Sequence, residues 1–428
     1  MAQPIQAPRG TQDILPDDQK YFRFIEQVVA TRAAAFGFGQ IDTPIFEEEG
    51  LFVRGLGEAT DVVEKEMFEV RRMKGDEEAD KRFALRPENT AGVVRAYIEN
   101  GMASWPQPVK LWYSGPQFRA DRPQKGRLRQ FTQFGYEVLG DDDPATDALV
   151  ILLTKLIFDD LKLTKDLVIE VNTLGGRDCR TKVIKTIKEY FTNYETQLCD
   201  DCKRRLQTNP LRLLDCKEAE CERIKQGAPQ LPDIVCQADR KHFQTVLNYL
   251  DAAGVTYDLN PFLVRGFDYY TRTTFEVAEK SDTTRQASLG GGGRYDNLIE
   301  TYGGMKTPAI GFSGGVERIV EKLKSKKVKV PETQKPKVMV ISIGEAAKKQ
   351  ALKVVANLSE AGLAITMAPA KESLKAQLRL ADKLGITLAL IIGQKEVYDK
   401  SAIVRMLDAG TQENVKLEKL EETIKKRL

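Results

Sequence analysis

The chain has almost no histidine: His242 is the only one in 428 residues. A Ser-His-Asp relay would have to run through that residue, and a metal site built from several imidazoles is excluded. His242 sits in Lys-His-Phe-Gln-Thr-Val-Leu, a helix-like stretch, and reads as an ordinary helix side chain. Long apolar runs are also missing, so no helix is expected to span a bilayer. The opening Met1-Ala-Gln-Pro-Ile-Gln-Ala-Pro8 has neither a charged n-region nor an apolar h-region. Secretion is therefore not expected, and the cytoplasm is the default. An excess of one charge is absent too: 65 Lys+Arg against 62 Asp+Glu leave +3, so no global basicity announces nucleic acid. The glycine run at 290–293 is followed by Arg-Tyr-Asp, not by Lys-Ser/Thr, which excludes a Walker loop. The chemistry must run on Arg, Glu, Tyr and backbone groups.

Six cysteines are present: Cys179, Cys199, Cys202, Cys216, Cys221 and Cys236. In a cytosolic chain they stay reduced. Cys199-x2-Cys202 followed by Cys216-x4-Cys221 loosely fits a four-thiolate zinc site, although the second spacing is wider than a zinc ribbon's. Unmetallated thiols are the default reading and structural zinc the alternative.

A chain of 428 residues suggests two or three domains. Residues 17–37 read as an amphipathic helix, with Asp17 and Asp18 after Pro16 at its start and Gly37 at its end. Ile41–Phe46 reads as a short strand interrupted by Pro44, which suits an edge or an interface. Strands 109–119 and 129–139 form a hairpin, followed by a helix from Asp143 to Asp160 and a strand from Leu167 to Asn172. Residues 173–260 are helix-like, charge-rich and hold every cysteine, so they read as an insertion. Strand character resumes at Phe262-Leu-Val-Arg-Gly266 and at Thr273–Val277. The strands cluster instead of alternating with helices, which predicts a mostly antiparallel sheet. The expected organisation is a core of 1–172 and 261–325 around the helical insertion 173–260. A Lys- and Pro-containing linker at 326–335 then leads to an α/β domain at 336–428. There, strands at 337–343, 363–367 and 386–392 alternate with helices at 346–358 and 373–384, predicting a mainly parallel sheet. Two short strands at 402–407 and 412–416 and a terminal helix follow. Residues 333–428 carry 17 Lys+Arg against 11 Asp+Glu, a net +6. The rest of the chain is then acidic, and the positive end suits a phosphate backbone.

The richest stretch runs from Gly115 to Gly135. A loop holding Arg119, Arg122, Lys125, Arg127 and Arg129 joins two apolar-rich strands, and Phe131, Gln133 and Glu137 stand on the returning strand. Guanidinium forks match phosphate oxygens bidentately. An aromatic ring and a carboxylate beside them suggest a nucleotide together with something cationic. Phe83-Ala-Leu-Arg-Pro-Glu-Asn-Thr-Ala-Gly92 puts a carboxylate and a hydroxyl in a turn before a helix. That turn can clamp an ammonium, and Asn89 or Thr90 can equally serve as a helix cap. Leu263–Phe275 brings Arg265 together with Tyr269 and Tyr270. Gly290–Asp296 implies close backbone approach to a ligand or another strand, and Gly311–Arg318 is a glycine-broken strand entering a helix.

Taken together, these segments resemble the class II aminoacyl-tRNA synthetases, and within them the histidyl-tRNA synthetase family. The likeness rests on Ala7-Pro-Arg-Gly-Thr-Gln-Asp13, the Arg86-Pro-Glu-Asn-Thr90 turn and the basic hairpin. It rests also on Leu263-Val-Arg-Gly-Phe-Asp-Tyr-Tyr270, Gly-Gly-Arg-Tyr-Asp296 and Gly-Val-Glu-Arg318. It covers essentially the whole chain. The resemblance implies a class II catalytic core with a C-terminal anticodon-binding domain. It implies activation of L-histidine by ATP with Mg2+, followed by transfer to tRNA-His.

Residue by residue, the resemblance implies catalytic roles for Arg119, Arg265 and Arg318 around the phosphates. Asp121, Arg127 and Phe131 would complete the ATP site. Glu88, Asn89, Thr90 and Gln133 would serve the amino-acid end, with Glu137, Tyr269 and Tyr270 around the imidazole. It also implies a homodimer through Pro44 and its neighbours, with the insertion on the acceptor arm. Two positions depart from the family pattern: Asp121 stands where Glu is usual, and Thr132 where His is common. The rivals are a non-catalytic histidine-sensing paralogue on the same fold, another class II synthetase, and a nucleic-acid-binding protein without catalysis.

Overall fold

The computed structural model describes residues 4–57, 60, 62–71, 81–121, 127–280, 288–332 and 335–428. They form two compact units, Met1–Val330 and Pro331–Leu428. The first is built on an eight-stranded sheet. In spatial order its strands are Gly39–Gln40, Val109–Phe118, Gln130–Leu139, Ala309–Gly315, Ser288–Arg294, Thr271–Glu279, Leu167–Thr173 and Asp258–Leu259. The six central strands pair antiparallel, and only the two-residue strands at either edge pair parallel. This is the mostly antiparallel sheet expected from the clustering of strands.

Side chains alternate across the sheet with a period of two. On strand Gln130–Leu139, Phe134, Tyr136 and Val138 are fully buried. They pack in one core with Phe275, Ile310 and Phe312 of neighbouring strands and with the apolar stripes of helices Pro16–Ala35, Pro144–Asp160, Gln237–Ala252 and Val316–Ser325. The alternate set, Phe131, Gln133 and Glu137, lines a cleft on the opposite face. The helix at Pro144 starts where the residues require it. Asp143 accepts the backbone N–H of Ala145 at 2.8 Å, and Pro144 occupies a first-turn position.

Two expected strands are absent. Residues 41–45 form no strand, and pairing resumes only at Phe46–Glu48 in a separate three-stranded sheet. Here the backbone carbonyls serve a side chain: Arg86 Nη1 donates to the carbonyl of Thr43 at 2.7 Å and to that of Pro44 at 3.4 Å. Residues 262–266 are loop, and the Leu263 carbonyl accepts a hydrogen bond from Asn172 Nδ2 at 2.9 Å.

Between the sheet strands at Thr173 and Asp258 lie the helices Arg177–Thr192, Asp200–Thr208, Ala219–Lys225, Leu231–Ile234 and Gln237–Ala252. They belong to the first compact unit. The second unit has a five-stranded sheet in the order Ile365–Met367, Val338–Ser342, Leu388–Ile392, Ser401–Met406, Gln412–Lys416. Its first three strands are parallel and its last two antiparallel. A short helix, Gln394–Tyr398, also forms there, which the strand–helix rhythm did not foretell. Among the described residues no helix is long and apolar enough to cross a membrane.

Candidate active site

The cleft on the open face of the large sheet has a volume of about 1410 Å³. A drug-sized ligand needs roughly 300–1,000 Å³, so there is space for two substrates. Its lining includes Glu88, Thr90, Arg119, Asp121, Arg127, Phe131, Gln133, Glu137, Arg265, Tyr269, Tyr270 and Arg318. Residues scattered over some 230 positions of sequence thus share one cavity. Asn89 does not line it. That side chain is buried and accepts a hydrogen bond from Thr43 Oγ1 at 3.0 Å. Arg122 and Lys125 lie outside the described residues. Arg129 turns toward the backbone carbonyls of Asp121 and Arg9, at 3.4 Å from each.

The carboxylate of Glu137 is the centre of the acidic end. It is 1% exposed. Tyr295 donates its hydroxyl to Oε2 at 2.6 Å, while Tyr113 and Thr90 donate theirs to Oε1, each at 3.0 Å. Burial, only partly offset by the tyrosine hydroxyls, pushes this carboxyl up to about 8. Glu88 is raised too, again by burial, and is partly relieved by the backbone N–H groups of Ala91 and Thr90 at 2.8 and 2.7 Å. Those two bonds make Glu88 the cap of helix Thr90–Glu99, a role the sequence suggested for Asn89 or Thr90. Gln133 Oε1 is buried with no hydrogen-bond partner in the protein. An orphaned acceptor of this kind calls for a ligand donor.

The basic end gathers three guanidinium groups. Arg119 donates through Nε to the Pro87 carbonyl at 3.0 Å and lies 5.2 Å from the ring centre of Phe131 and 5.7 Å from that of Phe267. Arg265 bonds Glu276 Oε2 at 2.6 Å, and its Nε is buried without a partner. Arg318 donates to the Ser288 carbonyl at 2.7 Å. Burial lowers the Arg318 guanidinium below its ordinary value, and the nearby charges of Arg127 and Arg119 lower it further. Cations that repel one another in a half-buried cleft are relieved by an anion. Asp121, with its shorter side chain, ion-pairs with Arg127 at 2.6 Å.

The glycine run explains itself at this point. A Cβ on Gly291 would come within 2.1 Å of Arg265 Nη1, and one on Gly292 within 2.1 Å of the Gly311 carbonyl. Close approach is to a neighbouring strand and to the arginine fork together. The Arg294 that ends the run points away into a buried network with Asp147.

Four further residues shape the cleft and were not singled out from the sequence. Tyr113 and Tyr295 hold Glu137, and Glu276 holds Arg265. Glu317 accepts the Thr132 backbone N–H on both oxygens, at 2.8 and 2.9 Å, and so ties the helix carrying Arg318 to the hairpin. Strand alternation could have found Glu276, which lies two residues from Thr274 and Ala278 on a clear period-two run. The partners of Glu137 needed the fold. Cys199, Cys202, Cys216 and Cys221 converge in space but do not line the cleft.

Comparison with known proteins agrees with this architecture. A family model described as histidyl-tRNA synthetase matches residues 10–175 and 181–319, and one described as an anticodon binding domain matches residues 337–427. A histidine–tRNA ligase of Desulforamulus reducens is 44% identical over 420 residues, spanning 98% of this chain and 99% of the relative. One from Dehalococcoides mccartyi is 43% identical over 423 residues, 99% of this chain and 100% of the relative. The crystal structure of apo S. aureus histidyl-tRNA synthetase superposes with a TM-score of 0.79 at 32% identity, covering 99% of this chain and 100% of that one. An antiparallel sheet with this cleft, followed by an anticodon-binding domain, defines an aminoacyl-tRNA synthetase. Within that class, the chain belongs to the histidyl-tRNA synthetase family.

Proposed function

We propose that this protein ligates L-histidine to tRNA-His at the expense of ATP, in two steps within the one cleft. The histidine carboxylate attacks the α-phosphate, forming histidyl-adenylate and releasing pyrophosphate. The terminal adenosine of tRNA-His then attacks the acyl carbon, and AMP leaves. Negative charge builds on phosphate in the first step, so cations fixed in advance are what the barrier demands. Arg119 and Arg265 grip the α-phosphate from two sides, with Arg119 also on the substrate carboxylate, and Arg318 holds the γ-phosphate. Asp121 and Arg127 flank ATP, and Phe131 stacks on the adenine. Glu88, Thr90 and Gln133 take the α-amino end, while Glu137 and Tyr270 face the ring nitrogens and Tyr269 shapes the pocket.

The observation that carries this reading is the cleft shared by three guanidinium groups and the buried, thrice hydrogen-bonded Glu137. Imidazole offers a donor and an acceptor, and a buried pocket built for both leaves polar groups unpaired with any analogue that lacks them. Rejection by roughly 10⁴-fold or more follows. A histidine-sensing paralogue without catalysis would have no use for three phosphate-directed arginines.

Mg2+ accompanies ATP. It takes oxygen ligands and is held mainly by phosphates and water, with one or two carboxylates. Glu276, which lines the cleft and is about one-fifth exposed, fits that requirement. The metal would neutralise phosphate charge. The protein is read as a cytoplasmic homodimer. Pro44, Ile45 and Phe46 are consecutive and exposed, Ile45 at 44% and Phe46 at 53%, as an apolar interface requires. The segment 173–260 would embrace the acceptor arm, and the C-terminal domain would read the anticodon, whose unpaired bases can be splayed out for recognition.

The test is ATP–pyrophosphate exchange run against all twenty amino acids. Histidine alone should support it. Exchange driven better by another amino acid, or none with histidine, overturns the reading.

A further inference from the structure

The ligation chemistry uses none of the six cysteines, yet four of them meet. Cys199 stands at the N-cap of helix Asp200–Thr208 and Cys202 one turn inside it. Cys216 follows the 3-10 segment Pro210–Asp215, and Cys221 lies in helix Ala219–Lys225. Their four sulfur atoms all lie within 4.8 Å of one another, and Cys199 Sγ is 3.9 Å from Cys216 Sγ. None is in a disulfide; three are buried and Cys199 is half-buried. A tetrahedral zinc with bonds of about 2.3 Å sets its sulfurs about 3.8 Å apart. A disulfide would need about 2.05 Å. Ordinary apolar packing of thiols gives no reason for four sulfurs from three successive elements to converge on one point. The backbone N–H of Cys199 also donates to Cys221 Sγ at 3.3 Å.

We propose that Cys199, Cys202, Cys216 and Cys221 bind one zinc ion as a closed, structural tetrathiolate site. The surrounding elements explain the need. From 199 to 234 the chain runs through helical segments of four to nine residues, too short to be stable alone. A metal whose binding energy is folding energy fixes them together. The stapled segment also touches the cleft. Between the second and third ligands, Asn209 Nδ2 donates to Asp268 Oδ1, and Arg212 Nη1 donates to the Arg265 carbonyl at 3.2 Å. Zinc would therefore brace, from behind, the loop that carries Arg265 and the tyrosine pair.

A second group, Cys179, Cys236 and Asp239, is also compact. It has only two sulfurs, and its carboxylate already takes the Gly176 N–H at 2.6 Å and Arg272 Nε at 3.0 Å. It serves as the control.

The experiment measures metal by mass spectrometry in the full-length protein after reconstitution with zinc under reducing conditions. It is paired with the absorption spectrum of the protein reconstituted with Co2+ alone. Stoichiometric zinc and a tetrahedral thiolate cobalt spectrum are expected. Cys216→Ser should lose the metal, and Cys179→Ser should keep it. Wild-type protein without zinc, or with an octahedral cobalt spectrum, overturns the proposal, as does loss of zinc in Cys179→Ser with retention in Cys216→Ser. Should Cys216→Ser fail to fold, the wild-type stoichiometry and cobalt spectrum still decide. Failure here leaves the ligase reading standing, because that reading is tested by exchange and not by metal content.

Discussion

Glu137 and Gly311 face each other across adjacent strands, and the carboxylate occupies the place a side chain at 311 would take. They are register partners, and a Cβ built on Gly311 would lie 1.6 Å from Glu137 Oε2. On the far side Tyr295 donates to that same oxygen at 2.6 Å. The glycine is thus a steric condition for the position of the carboxylate proposed to read the imidazole. Gly311→Ala should displace Glu137 and raise KM for histidine. A lost hydrogen bond is worth about 0.5–1.5 kcal/mol, or roughly 2- to 10-fold, when the carboxyl is neutral, and about 1.5–3 kcal/mol, or roughly 10- to 100-fold, when it is charged. KM for ATP should hardly change. Tyr295→Phe should act in the same direction with the smaller effect. Saturation curves for pyrophosphate exchange measure both, and an unchanged histidine KM in Gly311→Ala would separate Glu137 from the ring.

The raised carboxyl of Glu137 carries a sign that can be checked in the free protein. It titrates at about 8 in the fold and at roughly 4.3 when unfolded. The folded state therefore holds the proton more tightly. Its contribution to stability is full below the unfolded value and is lost as pH rises through the folded one. Thermal unfolding without ligand should show wild type losing stability between about pH 5 and pH 8, and Glu137→Gln losing less across the same window. Glu88 is raised as well and its charge helps to raise Glu137, so the difference between the profiles reports Glu137 together with its repulsion by Glu88. Parallel profiles for the two proteins would mean that the buried carboxyl is already ionised at neutral pH.

How much of this was legible beforehand divides along physical lines. The hairpin 109–119/129–139 was readable because strand period and loop composition are local. It formed as Val109–Phe118 paired with Gln130–Leu139. The gathering of Arg119, Arg265 and Arg318 could be reached only through family likeness, since nothing local links residues so far apart. Ile41–Phe46 misled because β-branched and aromatic residues fit a strand, while the buried Arg86 takes the carbonyls a strand would have used. Asn89 misled in a similar way: adjacency to Glu88 and Thr90 did not carry its side chain into the cleft, because it turns to Thr43. Tyr113 and Tyr295 were invisible as a pair, since what unites them is Glu137, reached by Tyr113 from strand Val109–Phe118 and by Tyr295 from just past the end of strand Ser288–Arg294.

Arg265 is held for its geometry as much as for its charge. Glu276 fixes one nitrogen at 2.6 Å, and a Cβ at Gly291 would lie within 2.1 Å of the same group. Arg265→Ala should abolish pyrophosphate exchange while costing little histidine binding. Removal of one preorganised charge-stabilising donor costs about 10²- to 10³-fold in rate, and an entire guanidinium should exceed that. Arg265→Lys should fail to restore activity, because a single ammonium cannot occupy the fork's two positions. Single-turnover adenylate formation, with histidine binding measured separately, gives the split. Exchange at the wild-type level in Arg265→Ala would remove this residue from the mechanism.

The sole histidine is predicted to be dispensable for chemistry. His242 Nε2 lies 2.9 Å from Asp147 Oδ2, an oxygen that also accepts Thr273 Oγ1 at 2.5 Å. The other oxygen of Asp147 accepts Arg294 Nε at 2.6 Å, and both of those side chains are 0% exposed. His242 is therefore more than a plain helix side chain: it closes a buried network on the packed side of the sheet. Removing the anion of such a network strands a buried cation and costs about 3–5 kcal/mol. Because Asp296 still pairs with Arg294 at 3.1 Å, Asp147→Ala should fall at the lower end of that range. His242→Asn removes one peripheral partner and should cost about 0.5–1.5 kcal/mol. Denaturant titration should therefore rank Asp147→Ala well below His242→Asn, and His242→Asn should keep its histidine-dependent exchange rate. A His242→Asn protein as stable as wild type but unable to activate histidine would put the imidazole back into the chemistry and undo the argument from its burial.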